Sequence, residues 1–171
     1  LGMSLPGSST LPAVSAERRE CAIETGRTAV ELVLNGVNAR QIITAESIRN
    51  AVIYLLATGG STNAILHLQA IHYEAELGHL PLSVFDELSH QVPLVASLYP
   101  ASEHDMIDFW EAGGVPAVEL EIAKLLDLNA LTVTGKTKAE LLVETRPSRR
   151  PEVIHTLAIP VRNEAGVAVL H

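Results

Sequence analysis

Two short segments of the sequence combine glycine with hydroxyl or amide side chains, a composition that suits the binding of an anion, and a third is a glycine break without such side chains. The most polar of them is Gly59-Gly60-Ser61-Thr62-Asn63. Its glycines let a ligand approach the backbone closely, and the helix predicted to begin at Ser61 or Thr62 presents unpaired N–H groups at its positive end. Ser61, Thr62 and Asn63 are therefore candidate ligands for a substrate carboxylate. A plain helix–helix turn, capped by Ser61 or Thr62, explains the same residues equally well.

The loop Leu5–Thr10 is a second candidate site. Its backbone N–H groups and the hydroxyls of Ser8 and Ser9 suit a carboxylate or a phosphate, although its composition alone favours an ordinary connector. The third segment, Ala112–Pro116, is a similar glycine break between two predicted helices.

Acids and histidines near these segments are candidates for acid–base or metal chemistry. Asp105 and Asp108 precede the third segment, but acids so placed are more often a solvated helix face or partners of the helix dipole. His67 and His72 are five residues apart and do not share a helix face as a zinc pair does, whereas Glu74 faces the same way as His67. We interpret His67 as a hydrogen-bonded core or edge residue, with a place at a ligand site as the alternative.

Composition restricts the class of protein. The chain has 171 residues, of which 47% are hydrophobic and 19% charged, so it can bury a sizeable core. The net charge of -8 argues against nucleic-acid and anionic-membrane partners, and no apolar run approaches the roughly 18 residues of a membrane span. The single cysteine, Cys21, excludes an internal disulfide framework and is interpreted as a small buried residue of a helix. We expect a soluble, cytoplasmic protein.

The spacing of apolar residues predicts helices over most of the chain. They are expected from Ser15 to Gly36, from Thr44 to Gly59, from Ser61 or Thr62 to Leu77, after a capping box of Ser83 and Asp86, from Ser102 to Ala112, from Pro116 to Leu126 and around Leu141. In the first of these helices the apolar residues, Val30 and Leu34 among them, form one stripe.

Strands are expected mainly after residue 152. Two are predicted there, Val153–Ile159 and Val167–Leu170, and Leu131–Thr134 is a further strand, while Leu94–Leu98 is a strand or a buried turn. Residues 146–151 are typical of a linker. Because the last strand ends the chain without neighbours that would bury it, the sequence predicts a piece of a longer protein.

Five segments, in this order, resemble the IlvD/Edd dehydratase family, and the resemblance covers essentially the whole chain. They are Leu1–Gly7, Gly59–Leu68, Ala112–Ala117, Leu131–Thr137 and Gly166–Leu170. The resemblance implies an α/β fold, in which residues 1–145 are a mainly helical part of the family's N-terminal α/β domain. Residues 146–151 are then a linker, and residues 152–171 the first strands of a C-terminal β-barrel domain.

The resemblance also implies a hydro-lyase reaction, in which a 2,3-dihydroxy acid loses water and the resulting enol becomes a 2-oxo acid. The dihydroxy-acid dehydratase reaction of branched-chain amino-acid synthesis is expected first, with sugar acids (aldonates) or 6-phosphogluconate as alternative substrates. Family members use an iron–sulfur cluster as a Lewis acid and a nearby Mg²⁺. The ligands of both groups and the catalytic serine are expected outside this chain. No catalytic or metal-binding residue is therefore expected within it, and the chain alone should be inactive.

The same resemblance assigns candidate substrate-binding residues and partners. The residues expected to approach the substrate are Ser61, Thr62 and Asn63, with Ser8, Ser9 and His67 behind them. The family's dimeric habit implies a homo-oligomer, a dimer or a tetramer. A hypothesis of a different class is a non-catalytic structural or dimer-interface module, which would associate through exposed apolar helix faces without any metal.

Overall fold

The computed structural model describes residues 1–168 of the chain, and these residues are mainly helical. The α-helices are α1 (Ala16–Leu34), α2 (Ala39–Ile42), α3 (Ala45–Thr58), α4 (Asn63–Glu74), α5 (Leu82–Ser89), α6 (Met106–Glu111), α7 (Gly114–Glu121) and α8 (Lys138–Glu144). Two 3₁₀ turns are formed by Ser8–Thr10 and Ala123–Leu125. No helix in residues 1–168 is long and apolar enough to cross a membrane.

Helix α3 forms the centre of the core. Most of its residues are buried, among them Val52, Ile53 and Leu56, and α4 and α5 pack against it. Thr44 and Ser47 cap its first turn reciprocally. The Thr44 N–H donates to Ser47 Oγ at 2.9 Å, and the Ser47 N–H donates to Thr44 Oγ1 at 3.3 Å. The local capping signal and the apolar period of α3 therefore agree with its buried position.

Helix α1 has nearly the predicted extent but contains no buried residue. The Ser15 hydroxyl caps its first turn, and Gly36, in the left-handed region with φ of 68°, follows its last turn as predicted. The apolar side chains of Val30, Val33 and Leu34, which belong to the predicted stripe, are all exposed, the last of them to 79%. The predicted apolar stripe therefore exists, but no residue of the described part of the chain buries it.

Two predicted helix starts are wrong because other residues occupy the cap. Helix α5 begins after Pro81 without a side-chain cap, so Ser83 and Asp86 do not form a capping box at its start. Helix α6 begins after Asp105, whose carboxylate accepts two N–H groups of the first turn, and Ser102 is therefore not its cap. Helices α4 and α7 are also shorter at their C-terminal ends than predicted.

The strands expected at the start of a β-barrel are not formed within residues 152–168. Two isolated antiparallel bridges take their place, Leu94 with Arg162 and Ala96 with Ile154. Between them the chain turns, because the Ile159 N–H donates to the Thr156 carbonyl at 3.1 Å. Single bridges without further neighbours do not extend into a sheet. The end of the predicted strand Val167–Leu170 lies outside the described residues.

The predicted strand Leu131–Thr134 is likewise a turn. The Thr132 N–H donates to the Lys136 carbonyl at 3.0 Å, and only Leu131 forms a bridge, with Thr137. β-Branched residues favour strands only where a neighbouring strand is present, and none is available here among the described residues. The α/β fold class is thus represented in residues 1–168 by its helical part, which agrees with a segment of an N-terminal domain.

Arg150 fastens residues 146–151 to α6. Its guanidinium contacts the carboxylates of Asp108 at 2.8 Å, Glu111 at 3.1 Å and Glu152 at 3.0 Å. The two residues after Glu152 are buried in the core. The division into two domains at this segment stays a prediction.

Candidate functional site

A cavity of about 890 Å³ lies between the end of α3, the Ser8–Thr10 turn and the start of α6. All three glycine segments contribute to its wall, the first through Gly59–Ser61, the second through Ser9 and Thr10, and the third through Val115. The loop 97–101 supplies a further part. Pockets that bind small molecules have volumes of about 300–1,000 Å³, so the cavity is the candidate functional site.

Gly59 and Gly166 meet beside this cavity at a distance that only glycine permits. A Cβ on Gly166 would lie 2.7 Å from the Gly59 nitrogen and 2.9 Å from Leu94 Cδ1. The Gly166 N–H donates to the carbonyl of Leu56 at 2.9 Å, which holds the segment against the end of α3. The sequence pattern identified Gly59 but not the role of Gly166, because the two glycines are far apart along the chain.

The residues at the start of α4 divide between the cavity and its surroundings. Ser61 lines the cavity, and its Oγ accepts the N–H of Asn63 at 3.2 Å. Thr62 is the N-cap but makes no side-chain capping bond. Thr62 and Asn63 are exposed and do not line the cavity. Of the three predicted carboxylate ligands, the structure therefore brings Ser61 to the wall.

The Ser8–Thr10 turn reaches the cavity because glycine follows α6. Ser9 and Thr10 line the wall, whereas Ser8 does not, and the Ser8 carbonyl accepts from Arg18 Nη1 at 2.8 Å. Thr10 is buried against Gly114, where a Cβ would come within 2.5 Å of Thr10 Oγ1. Gly114 of the third segment thus leaves space for the Thr10 side chain. The segment itself has no polar side chain that could contact a ligand.

His67 lies away from the cavity wall. It is exposed on α4 and does not line the cavity. His72 is buried instead, with its Nδ1 3.0 Å from the Gly78 carbonyl oxygen. A role for His67 at a ligand site stays a prediction.

The cavity combines an apolar wall with a small number of polar groups. Its larger apolar and aromatic side chains are Leu94, Leu98, Tyr99, Met106, Ile107, Phe109 and Val115. Burial raises the pKa of the Tyr54 phenol, which therefore stays neutral at the wall. Among the lining residues in the described part of the chain, only Arg162 carries a positive charge and only Asp105 a negative one. This arrangement suits an acid that also has an apolar portion.

Asp105 and Asp108 stabilise the start of α6. Asp105 Oδ1 accepts the N–H groups of Ile107 at 2.7 Å and Asp108 at 3.0 Å, while Asp108 Oδ2 accepts the Asp105 N–H at 3.0 Å. That backbone N–H and the Arg150 guanidinium lower the pKa of Asp108. The structure therefore supports the interpretation that Asp105 and Asp108 are partners of the helix N-terminus.

A metal centre does not fit the residues that the structure describes. The family resemblance implies an iron–sulfur cluster and Mg²⁺, but within residues 1–168 no three His, Cys, Asp or Glu side chains come together as ligands. Cys21, the single cysteine of the chain, lies on the exposed helix α1. The described residues therefore do not by themselves hold either group.

Comparison with known proteins agrees with the sequence resemblance. The family model described as dihydroxy-acid/6-phosphogluconate dehydratase N-terminal matches residues 1–141. The dihydroxy-acid dehydratase of Methanothrix thermoacetophila is 46% identical over 173 residues, covering 99% of this chain and 31% of the relative. The dihydroxy-acid dehydratases of Methanococcoides burtonii and Nitratidesulfovibrio vulgaris are 44% and 41% identical, with the same coverage.

Two facts follow from these matches. The chain spans 31% of the length of these relatives. The family model covers most of the chain, and the relatives match 99% of it at more than 40% identity. The chain therefore belongs to the IlvD/Edd dehydratase family.

Proposed function

We propose that the chain supplies part of the substrate site of a hydro-lyase, which converts a 2,3-dihydroxy acid into a 2-oxo acid. The observation that carries the proposal is the cavity, which brings Ser9 together with Gly59–Ser61 beside an apolar wall. In this reaction the C3 hydroxyl leaves as water, C2 loses its proton, and the resulting enol takes up a proton at C3 to become the 2-oxo acid. The similarity to relatives named dihydroxy-acid dehydratase supports the same reaction.

The start of α4 is the proposed place for the substrate carboxylate. Ser61 offers a hydroxyl at the cavity wall, and the positive end of the α4 helix dipole favours a negative charge beside it. Thr62 and Asn63 follow directly and complete the proposed set. Ser8, Ser9 and His67 are proposed as outer contacts, with Ser9 the one that lines the wall.

The apolar wall favours a branched alkyl acid over a sugar acid as the substrate. Hydroxyl groups of an aldonate or of 6-phosphogluconate placed against Leu98, Met106 and Ile107 would lose hydrogen bonds to water without gaining a partner. An alkyl group at the same place gains from burial. We therefore infer a dihydroxy-acid dehydratase acting in branched-chain amino-acid synthesis. A cytoplasmic location is part of the same proposal.

A chimeric enzyme tests this function. The chain replaces the matched segment of the Methanothrix thermoacetophila dihydroxy-acid dehydratase, and the formation of 2-oxo acid is assayed with 2,3-dihydroxy-3-methylbutanoate and with gluconate. The chimera should act on the branched acid in preference to gluconate. Ser61→Ala combined with Thr62→Ala should lower kcat/KM by at least about tenfold, because hydrogen bonds to charged groups contribute about 1.5–3 kcal/mol.

Thr25→Ala provides the control for this experiment. It removes an exposed hydroxyl of α1, which donates to the Cys21 carbonyl at 2.8 Å, and should leave kcat/KM unchanged. An unchanged kcat/KM in the Ser61/Thr62 variant would remove the proposed carboxylate site. A chimera that prefers gluconate would reverse the choice of substrate.

A structural or dimer-interface role is the second candidate, and the exposed stripe of α1 favours it. Ile23, Val30 and Leu34 present apolar side chains to solvent, which a homo-oligomer could cover. Sedimentation should then show a dimer or tetramer of the chain, and Val30→Glu should shift it to the monomer. A chain that sediments strictly as a monomer at high concentration would count against this role.

A further inference from the structure

Among the residues that the structure describes, Arg162 is the one cation on the cavity wall. Residues 1–168 provide no ion pair or hydrogen bond for its guanidinium. Its side chain is exposed toward solvent. In a chain with a net charge of -8, an arginine without a carboxylate partner beside a cavity is free to bind an anion.

The backbone of Arg162, in contrast, is firmly placed. Its carbonyl accepts the N–H of Leu94 at 3.0 Å, and the N–H of Val161 donates to the Leu94 carbonyl at 2.8 Å. A few residues further on, Gly166 is held against Gly59 at the end of α3. These contacts fix the Cα of Arg162 at the wall. The position of the guanidinium therefore varies only with the rotamers of this side chain.

Other arginines differ from Arg162 in one of two ways. Arg40 and Arg150 are paired, with Glu76 and with Asp108 respectively. Arg149 is exposed and, like Arg162, has no partner in the described part of the chain, but it does not line the cavity. Of the described arginines, only Arg162 combines a free guanidinium with a place on the cavity wall, and Arg149 is therefore a matched control.

We propose that Arg162 binds the carboxylate of the hydroxy acid and thereby sets the preference of the site for an anionic substrate. The inference rests on the proposed function and adds a charged residue to the hydroxyl of Ser61. A guanidinium binds a carboxylate through two parallel N–H···O bonds, which fixes its orientation as well as its position. The alkyl part of the acid then lies against the apolar side of the cavity.

Titration of the 171-residue chain with two probes tests this assignment. The probes are 2,3-dihydroxy-3-methylbutanoate and its neutral amide, and the readout is the shift of the backbone amide signals of Gly59 and Gly60. Arg162→Gln should weaken binding of the acid by about ten- to a hundredfold, and Arg162→Lys by less. Arg149→Gln, which makes the same change in net charge, should not alter the Kd of the acid. Binding of the amide should be insensitive to all three substitutions.

The outcomes separate this inference from the function on which it rests. An unaltered Kd for the acid in Arg162→Gln overturns the role of Arg162, as does an equal loss in Arg149→Gln. A chain that binds neither probe overturns it as well. The function itself is judged by the activity of the chimeric enzyme, which can persist when Arg162 has no role. Unchanged amide spectra away from the cavity show that the Arg162→Gln chain is folded.

Discussion

Helices α1 and α3 are both capped at their N-termini and both follow the predicted boundaries, yet only α3 is buried. Leu56 of α3 is 1% exposed, whereas Leu34 of α1 is 79% exposed. The caps, Thr44 and Ser15, accept backbone N–H groups in the same way. Local signals therefore decide where each helix begins and ends. How much a helix contributes to stability depends on what covers its apolar face.

The largest difference is expected between Leu56→Ala and Leu34→Ala. Removing a fully buried leucine leaves a cavity and should lower the free energy of unfolding by about 2–5 kcal/mol. The same substitution at Leu34 removes an exposed side chain and should change it by less than about 0.5 kcal/mol. Urea unfolding followed by circular dichroism measures both. Equal losses would mean that the stripe of α1 is covered in solution.

Replacing glycine by alanine should destabilise the chain where Gly166 meets the end of α3 and stabilise the exposed helix α1 at Gly26. Gly166→Ala forces a Cβ against Gly59 and should lower the free energy of unfolding by about 1–3 kcal/mol. Gly26→Ala places a Cβ in open space within α1 and should stabilise this helix by about 0.5–1 kcal/mol. Urea unfolding measures the first, and the helical circular dichroism signal the second. A neutral Gly166→Ala would contradict the close approach of the two glycines.

Loss of the N-cap should affect the whole fold in α3 but only the first turns of the helix in α1. Thr44→Ala removes a cap of the buried helix and should lower the free energy of global unfolding by about 1 kcal/mol. Ser15→Ala should speed hydrogen exchange only in the first turns of α1, since no buried contact couples this helix to the core. Hydrogen exchange resolved by residue distinguishes the two responses. Faster exchange in α3 of the Ser15→Ala chain would show that the helices are coupled.

The smallest effect is expected from Asp108, where α6 meets Arg150. The lowered pKa of Asp108 means that the ionised form is stabilised in the folded chain. This stability is present above the ordinary value of 3.8 and is lost as the pH falls through the lowered pKa. Asp108→Asn should therefore reduce the dependence of Tm on pH below about pH 4. Glu20→Gln, on the exposed α1, is the control for net charge, and an equal change there would contradict the prediction.

Part of the candidate site could be predicted because its signals are local. The glycine pair that ends α3 and the hydroxyl of Ser61 stand next to each other in the sequence, and the structure places both at the cavity. Gly166 and Arg162 were missed, because their partners Gly59 and Leu94 are distant in the chain and no local pattern records such a contact. The misplaced cap of α6 has a local cause. Ser102 and Asp105 are both good caps, and the choice between them depends on the contacts of the preceding loop.

The sequence by itself determined the family, the order of the main helices and the caps of α1 and α3, since periodicity and capping act within a few residues. Tertiary structure alone decided which helix is buried and where the cavity lies. It also decided that the residues around Ile154 form a bridge and not a strand, because a strand needs a neighbour that the described chain does not supply. Burial and strand pairing are properties of distant residues brought together, and for that reason a local pattern does not determine them.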